Sequence, residues 1–282
     1  MITKILVTGC KGQLGNELQL LSPHYSYSFT FVDKEECDLT DKQAVAAMID
    51  TLRPDAIINC AAYTAVDDAE SHADMAEVLN AKTVQWLAKS AKQINALLIH
   101  ISTDYVFDGT KATPYNETDE TNPISMYGKT KLLGELAVKE LQPHAVIIRT
   151  AWLYGDGKNF AKTMLALSET HDTLRVVNDQ IGSPTSASEL AKAIAYLEPT
   201  ENYGLFHGTC EGICSWADFA AEVLRLAKKS TVVEGISTEE YNSPTKRPAY
   251  SVLENYMFKL TTDFMFADWH DAIAQYMANL PK

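Results

Sequence analysis

The segment KILVTGCKGQLG, residues 4–15, decides the fold of this chain. A short apolar strand ends at Gly9, and a helical segment with regularly spaced leucines begins at Gly12. Gly9, Gly12 and Gly15 follow one another at three-residue intervals. Glycine permits a tight turn and lets backbone N–H groups approach a pyrophosphate, whose charge is favoured by a helix N-terminus. The spacing differs from the commoner G-x-G-x-x-G, but its place between a strand and a helix predicts a dinucleotide site rather than a structural loop.

The alternation of strand and helix signals continues through the first half of the chain. Four further apolar segments predict strands, and they are SFTFVD, DAIINCAA, ALLIHIS and HAVIIRT. Near-continuous apolar strands separated by helices indicate a parallel sheet that is covered on both faces. Right-handed crossovers then produce a doubly wound α/β fold of the Rossmann type.

After about residue 150 this alternation becomes irregular. Helical segments such as NFAKTMLALSE and SWADFAAEVLRLA are interrupted by loops such as DQIGSPTS. We therefore predict an NAD(P)-binding Rossmann domain over residues 1–150. Residues 151–282 are predicted to form a smaller C-terminal lobe, mainly substrate-binding, which shares strands with the first domain.

The composition excludes several classes of partner. The 282 residues include 24 basic and 37 acidic side chains, which gives a formal charge of −13. An acidic surface repels phosphate backbones, so nucleic acid is not expected as a partner. The sequence shows no signal peptide, no apolar segment of membrane-spanning length and five scattered cysteines, a pattern that predicts a cytoplasmic protein without a membrane partner. His207, Cys210 and Cys214 are close in sequence, but their spacing matches no common zinc pattern, and no metal is predicted.

The end of the second predicted strand leaves the choice of nicotinamide cofactor open. Asp33 lies there, 18 residues after Gly15, where a carboxylate accepts hydrogen bonds from an adenosine ribose and favours NADH. Lys34 follows immediately and would attract the 2′-phosphate of NADPH. The cofactor is therefore predicted to be NADPH or NADH.

A second group of residues indicates ketone reduction. The segment ISMYGKTKLLGE, residues 124–135, follows a proline and predicts a helix on which Tyr127 and Lys131 lie on one face. The fourth strand ends in Thr103 and Asp104, at the edge of the sheet where doubly wound folds bind ligands. Ketone reduction needs a proton at oxygen, and the phenol pKa of ~10 is too high for easy transfer. We expect Lys131 and the oxidised nicotinamide to lower that pKa, and Thr103 to donate to the developing alkoxide.

These motifs, with others along nearly the whole chain, resemble the extended short-chain dehydrogenase/reductases. Within that group the chain is similar to the dTDP-4-dehydrorhamnose reductase family, and the matching segments include INCAAYTAVDDAE, ISTDYVFDG, PYNETDETNPISMYGKTKLLGE, IIRTAWLYG, VVNDQIGSPT and GICSWADFA. The resemblance implies NAD(P)H-dependent reduction of the 4-keto group of dTDP-4-dehydro-L-rhamnose, the last step of dTDP-L-rhamnose biosynthesis. It also implies a dTDP-sugar as the substrate and a cell-surface polysaccharide as the destination.

The resemblance assigns roles to individual residues. It carries the catalytic roles over to Thr103, Tyr127 and Lys131. Together with the glycine turn, it implies a cofactor site formed by Gly9, Gly12, Gln13, Leu14, Gly15, Asp33, Asp38, Leu39, Ala61, Ala62, Tyr63, Tyr127 and Lys131. The implied substrate site is formed by Thr103, Asp104, Tyr105, Trp152, Asn159, Gln180 and Arg247, with Arg247 as the candidate for the diphosphate.

Two departures from the family pattern affect details. The family usually has asparagine and then serine shortly after its Arg-Pro pair, whereas here Tyr250 precedes Ser251. Some members form a magnesium-linked dimer through glutamates; Glu17 and Glu189 match two of these positions, but the segment MANLPK offers no third. We therefore expect a monomer or a homodimer without that metal bridge.

Two alternatives remain beside this interpretation. One is the reduction of another 4-keto-6-deoxy nucleotide sugar on the same scaffold. The other is a non-catalytic NADP-binding regulatory subunit, similar to that of methionine adenosyltransferase. The presence of Thr103, Tyr127 and Lys131 favours an enzyme over the regulatory role.

Overall fold

The computed structural model describes residues 2–280, and all structural statements concern this range. The strands are β1 (Lys4–Thr8), β2 (Ser28–Val32), β3 (Ala56–Asn59), β4 (Leu97–Thr103), β5 (Ala145–Thr150), β6 (Leu153–Tyr154), β7 (Thr173–Val177), β8 (Ile181–Gly182), β9 (Thr185–Ser186), β10 (Gly204–His207), β11 (Cys214–Ser215) and β12 (Val232–Ile236). The α-helices are α1 (Gln13–Leu21), α2 (Lys42–Leu52), α3 (Val66–Ser71), α4 (Ala73–Glu77), α5 (Thr83–Ile94), α6 (Met126–Leu141), α7 (Phe160–Ser168), α8 (Ala187–Leu197), α9 (Trp216–Leu226), α10 (Thr238–Tyr241), α11 (Tyr256–Thr261) and α12 (Trp269–Asn279).

Six strands form a parallel sheet in the order β10-β5-β4-β3-β1-β2. The chain moves outward in one direction from β1 to β2 and in the other direction from β3 onward, so the order reverses between β1 and β3. A reversal of this kind opens a crevice at the carboxyl ends of the strands. The predicted doubly wound parallel sheet is confirmed, and β10, which the sequence did not reveal, pairs with β5.

The sheet is covered on both faces because alternate strand residues point to opposite sides. On β1, Ile5 and Val7 pack with one cluster, to which α1 and α8 contribute leucines and Ile194. Leu6, between them, packs with the opposite cluster, which contains Val45 of α2 and Leu87 of α5. Burial on both faces explains why these strands read as continuous apolar segments.

A third cluster lies in the second half of the chain. It includes Tyr154, Phe219 and Trp269, and it joins α7, α9 and α12 to the strand pair β7–β12. Cys210 and Cys214 are buried, and no group of three or more potential metal-ligating side chains occurs within residues 2–280. Across the same range, no helix combines the length and apolar character needed to cross a lipid bilayer.

Candidate active site

A cavity of about 610 Å³ lies at the carboxyl ends of β1, β3, β4 and β5. One side is formed by the glycine turn, residues 9–15, and by the segment that follows β3. The other side is formed by residues 152–160 and by Trp216 of α9. The end of β4 and one face of α6 lie between these two sides, so Ser102, Thr103, Tyr127 and Lys131 face a shared space.

The glycine turn is built so that its backbone forms the cavity wall. Gly9 has φ +69°, and a Cβ atom there would lie 2.6 Å from the backbone N of Ala61. A Cβ atom at Gly15 would lie 2.5 Å from the carbonyl oxygen of Gly9. Gly12 is the N-cap of α1 and has no side chain that could cap the helix. The first N–H groups of α1 therefore have no side-chain acceptor. This geometry fits the pyrophosphate of a dinucleotide.

The charged residues beside the turn bind one another. Asp33 Oδ2 accepts a hydrogen bond from the backbone N–H of Lys11 at 2.9 Å, and Oδ1 accepts one from Lys34 N–H at 2.8 Å. The Lys11 ammonium, which the sequence analysis overlooked, lines the cavity and pairs with Glu35. Asp33 therefore fixes the shape of the turn from outside the cavity lining, while Lys34 is exposed.

The other predicted cofactor residues divide into two groups. Gln13, Leu14 and Ala62 line the cavity, and Ala61 lies directly behind Gly9. Asp38, Leu39 and Tyr63 lie outside the lining and make structural bonds. Asp38 Oδ1 accepts from Thr40 at 2.7 and 2.9 Å, the Leu39 carbonyl accepts from Thr83 at 2.6 Å, and Tyr63 N–H donates to Asn80 at 2.8 Å.

The helix α6 brings the predicted catalytic side chains into this cavity. Ser125 caps the helix by accepting a hydrogen bond from Gly128 N–H at 3.2 Å. Tyr127 and Lys131 follow four residues apart, and both line the cavity together with Thr103. Lys131 is only 2% exposed, and its ammonium donates to the carbonyl oxygen of Ile101 at 2.6 Å.

Burial controls the proton affinities of these groups. It raises the pKa of the Tyr127 phenol to about 12, against the lowering effect of the Thr103 hydroxyl. It lowers the pKa of Lys131 to about 8, against the raising effect of Glu135. We expected Lys131 to lower the phenol pKa, but the net shift is upward, because desolvation by burial exceeds the lowering effect of the Thr103 hydroxyl.

A buried carboxylate, that of Asp104, lies next to Thr103 in the cavity lining. The Thr103 hydroxyl donates to Asp104 Oδ1 at 2.9 Å and accepts from the backbone N–H of Tyr105 at 3.2 Å. Asp104 is 2% exposed, and burial raises its pKa to about 6 although the Ser251 and Thr103 hydroxyls lower it. Asp104 and Tyr105 both line the cavity. When Asp104 is ionised, Thr103 directs its proton toward that carboxylate rather than toward a bound ketone.

An aromatic wall closes the other side of the cavity. Trp152 has φ +48°, a conformation that a bulky residue rarely adopts. Its ring stacks on that of Trp216, with 3.5 Å between ring centroids and an interplanar angle of 8°. Gly182 lies against the same indole, because a Cβ atom there would be 2.5 Å from Trp152 Cε2. Trp216 was not predicted as a site residue, although it lies in one of the segments that carried the resemblance.

The remaining predicted substrate residues occupy different places. Asn159 lines the cavity and caps α7 by accepting from Lys162 N–H at 2.9 Å. Gln180 lies outside the lining and donates to Thr238 at 3.0 Å. Arg247 is also outside the lining, and its Nη2 lies 2.9 Å from both carboxylate oxygens of Asp67. Lys158, which the sequence analysis missed, lines the cavity, is exposed and forms no ion pair within residues 2–280.

Comparison with known proteins identifies the group to which this site belongs. The family model described as the RmlD substrate binding domain matches residues 3–281. The dTDP-4-dehydrorhamnose reductase of Salmonella typhimurium is 41% identical to the chain, covering 98% of it and 97% of the relative. The chain belongs to the dTDP-4-dehydrorhamnose reductase family. The match extends over almost the full length of this relative.

Solved structures of the family have the same architecture as the chain. A crystal structure of a dTDP-4-dehydrorhamnose reductase from Clostridium acetobutylicum aligns with a TM-score of 0.97 at 47% identity, covering 98% of this chain and 99% of that one. A dTDP-4-dehydrorhamnose reductase from Bacillus anthracis, solved in complex with NADP, aligns with a TM-score of 0.96 at 38% identity, covering 99% and 100%.

Proposed function

We propose that the chain catalyses NAD(P)H-dependent reduction of the 4-keto group of dTDP-4-dehydro-L-rhamnose to dTDP-L-rhamnose, the last step of dTDP-rhamnose biosynthesis. One observation carries the proposal: Thr103, Tyr127 and Lys131 lie in the same cavity as the uncapped N-terminus of α1. A phenol, a hydroxyl and an ammonium are thus gathered beside a site for a dinucleotide. Membership of the family supports the choice of substrate.

The reaction adds a hydride to the carbonyl carbon and a proton to its oxygen. A bound NADPH or NADH supplies the hydride. Tyr127 supplies the proton, and Lys131, with a pKa of about 8, stays largely protonated at neutral pH and stabilises the phenolate that remains. Thr103 is fixed in the cavity wall by its bonds to Asp104 and to the backbone N–H of Tyr105, and while Asp104 is ionised the Thr103 proton is directed to that carboxylate. The aromatic wall excludes water from the sugar side of the cavity.

The assignment of the substrate groups follows the charge and shape of the cavity. The aromatic wall of Trp152 and Trp216 suits the flat apolar face of a sugar or base. A diphosphate requires a cation, and the exposed ammonium of Lys158 on the cavity wall provides one. Arg247, at the edge of the site, provides a second cation once the diphosphate replaces Asp67 as the partner of its guanidinium group.

Several broader properties belong to the same proposal. Residues 1–150 would serve mainly the cofactor and residues 151–282 mainly the sugar nucleotide. Five free cysteines and the need for a reduced cofactor support a cytoplasmic location. We expect a monomer or homodimer without a metal bridge, since the Glu189 carboxylate already bonds Lys192 at 2.6 Å and Ala267 N–H at 3.1 Å.

The decisive experiment is nicotinamide oxidation by purified protein with dTDP-4-dehydrorhamnose, generated in situ from dTDP-glucose by a dehydratase and an epimerase. NADPH and NADH are compared in parallel, with and without EDTA. Oxidation that requires both this protein and the epimerase, with dTDP-L-rhamnose as the product, is the expected result. Oxidation without the epimerase would indicate a different 4-keto sugar. Cofactor binding without any oxidation would favour the regulatory alternative.

A further inference from the structure

One face of α6 meets the end of β4 at three successive levels. The side chains on that face are separated by four residues, which places them above one another on a helix. Tyr127 lines the cavity together with Thr103, Lys131 bonds the Ile101 carbonyl at 2.6 Å, and Glu135 accepts from the Ser102 hydroxyl at 2.6 Å. Three consecutive turns of the helix therefore face Thr103, Ile101 and Ser102 of one strand end, and only the third contact is not part of the proposed chemistry.

The third contact is the most firmly held of the three. Glu135 is fully buried, and Arg149 of β5 donates to both of its oxygens, with Nε–Oε1 at 2.8 Å and Nη2–Oε2 at 2.7 Å. Arg149 is 1% exposed and lies opposite Ser102 in the β4–β5 register. A bidentate pair of this kind fixes both distance and orientation. The helix is thus bound to two adjacent strands one turn beyond Lys131.

We propose that Glu135 is a positioning residue for the reductase reaction: it holds α6 in register on β4 and places a negative charge one helical turn from Lys131. This inference rests on the proposed function. The anchor sets the height of Tyr127 against Thr103, because the three contacts lie on one rigid helix face. The charge favours the ammonium form of Lys131, which the proton transfer needs.

Other charged or titratable groups near Lys131 do not replace Glu135. Cys60, which follows β3, and His100 of β4 face Lys131, and burial makes both neutral at physiological pH by raising the thiol pKa and lowering the imidazole pKa. Tyr127 lies on the same helix and is likewise neutral. Arg149 faces Glu135 from β5 and partly compensates its charge. The carboxylate is therefore the anion whose removal Lys131 should sense.

Two variants separate the anchoring role from the charge. Glu135→Gln keeps the length of the side chain and removes its charge. We expect kcat to fall about 10-fold or more, while the sugar KM stays within threefold of its original value. The alkaline limb of the pH profile of kcat should shift to lower pH by about one unit. Glu135→Asp keeps the charge but shortens the reach by one methylene, so kcat should fall while the alkaline limb stays in place.

Lys139→Met is the matched control, because Lys139 approaches the same carboxylate at 3.9 Å from the solvent side. Its activity and pH profile should match those of the unmodified protein. The pH dependence of NADPH binding, followed by fluorescence, provides a readout that needs no sugar. An inactive unmodified protein would refute the proposed function and still allow this binding test.

An alkaline limb that does not move in Glu135→Gln, in turnover or in NADPH binding, would overturn the electrostatic part of the inference. If Glu135→Gln does not fold, Glu135→Asp decides the anchoring part. An unchanged kcat in that variant would overturn it, and a reduced kcat with unchanged sugar KM would support it.

Discussion

The two sides of the cavity are built in different ways. The cofactor side, residues 9–15 with the segment after β3, is made of backbone held close to backbone, as at Gly9 and Ala61. The substrate side, residues 152–160 with Gly182 and Trp216, is made of side chains brought together from distant parts of the sequence. A ligand site that uses backbone leaves a contiguous sequence signature, whereas one assembled from scattered side chains does not.

Tyr127→Phe tests the chemistry that both sides serve, and we expect the largest effect from it. The variant removes the proton donor while keeping the ring that packs edge-on against Tyr105 at 5.4 Å. Turnover should fall by about 10²–10⁴-fold. NADPH affinity, measured by fluorescence titration, should stay within a few-fold of the original value. Near-normal turnover would remove Tyr127 from the role of proton donor.

Gly9→Ala tests the backbone character of the cofactor side. The added methyl group would lie 2.6 Å from Ala61 N at a residue with φ +69°, so the turn must open. We expect a loss of about 1–3 kcal/mol in the free energy of unfolding and at least about 10-fold weaker NADPH binding. Chemical denaturation and cofactor titration measure the two effects. An unchanged cofactor affinity would mean that the tight turn is not part of the binding site.

Gly182→Ala is the matching change on the substrate side. Its methyl group would lie 2.5 Å from Trp152 Cε2 and should displace the indole from Trp216. We expect the sugar KM to rise about 10-fold, with NADPH affinity unchanged and the circular dichroism of the stacked indoles reduced. A variant that loses the optical signal but keeps its KM would separate the stacked pair from substrate binding.

Asp104→Asn tests the carboxyl group that lies between the two sides of the cavity, through the pH dependence of the stability of the fold. A carboxyl group whose folded pKa is about 6, above the unfolded value of ~3.9, destabilises the fold as pH rises through this interval. Asparagine does not ionise, so the variant should be more stable by about 1–3 kcal/mol at pH 7.5 and gain little at pH 4. Urea denaturation at both pH values measures the change in the free energy of unfolding and checks its sign. A larger gain at pH 4 would contradict the assignment.

Asp33→Ala should produce the smallest effect, and it tests the adenosine end of the cofactor side. Asp33 holds the backbone of Lys11, and the removal of its charge also eases the approach of a 2′-phosphate. We expect NADH affinity to fall more than NADPH affinity, by a factor of about three to ten. Equal losses for both cofactors would restrict Asp33 to a structural role in the turn.

The sequence predicted β1 to β5 because each is an apolar segment that pairs within a continuous sheet. It did not reveal the strands after residue 150, which pair across long sequence distances and of which β6, β8, β9 and β11 have only two residues and carry no periodic signal. Within the site, local spacing in the sequence predicted the glycine turn. It also predicted the pair Tyr127 and Lys131, which lie four residues apart on one helix face. It missed Trp216 and Lys158, whose place in the cavity depends on how distant segments pack.

The ion pair between Arg247 and Asp67 has a consequence for the energetics of ligand recognition. The two residues are 180 positions apart in sequence, and the guanidinium group already has an anionic partner. An anionic ligand that binds Arg247 must exchange with that partner, so its affinity measures the difference between two ion pairs. Asp67 remains attached beside the site after the exchange, so its carboxylate loses its partner while a second anion is brought close to it. Added salt screens this repulsion as well as the new attraction, so the affinity gained at Arg247 should depend only weakly on ionic strength.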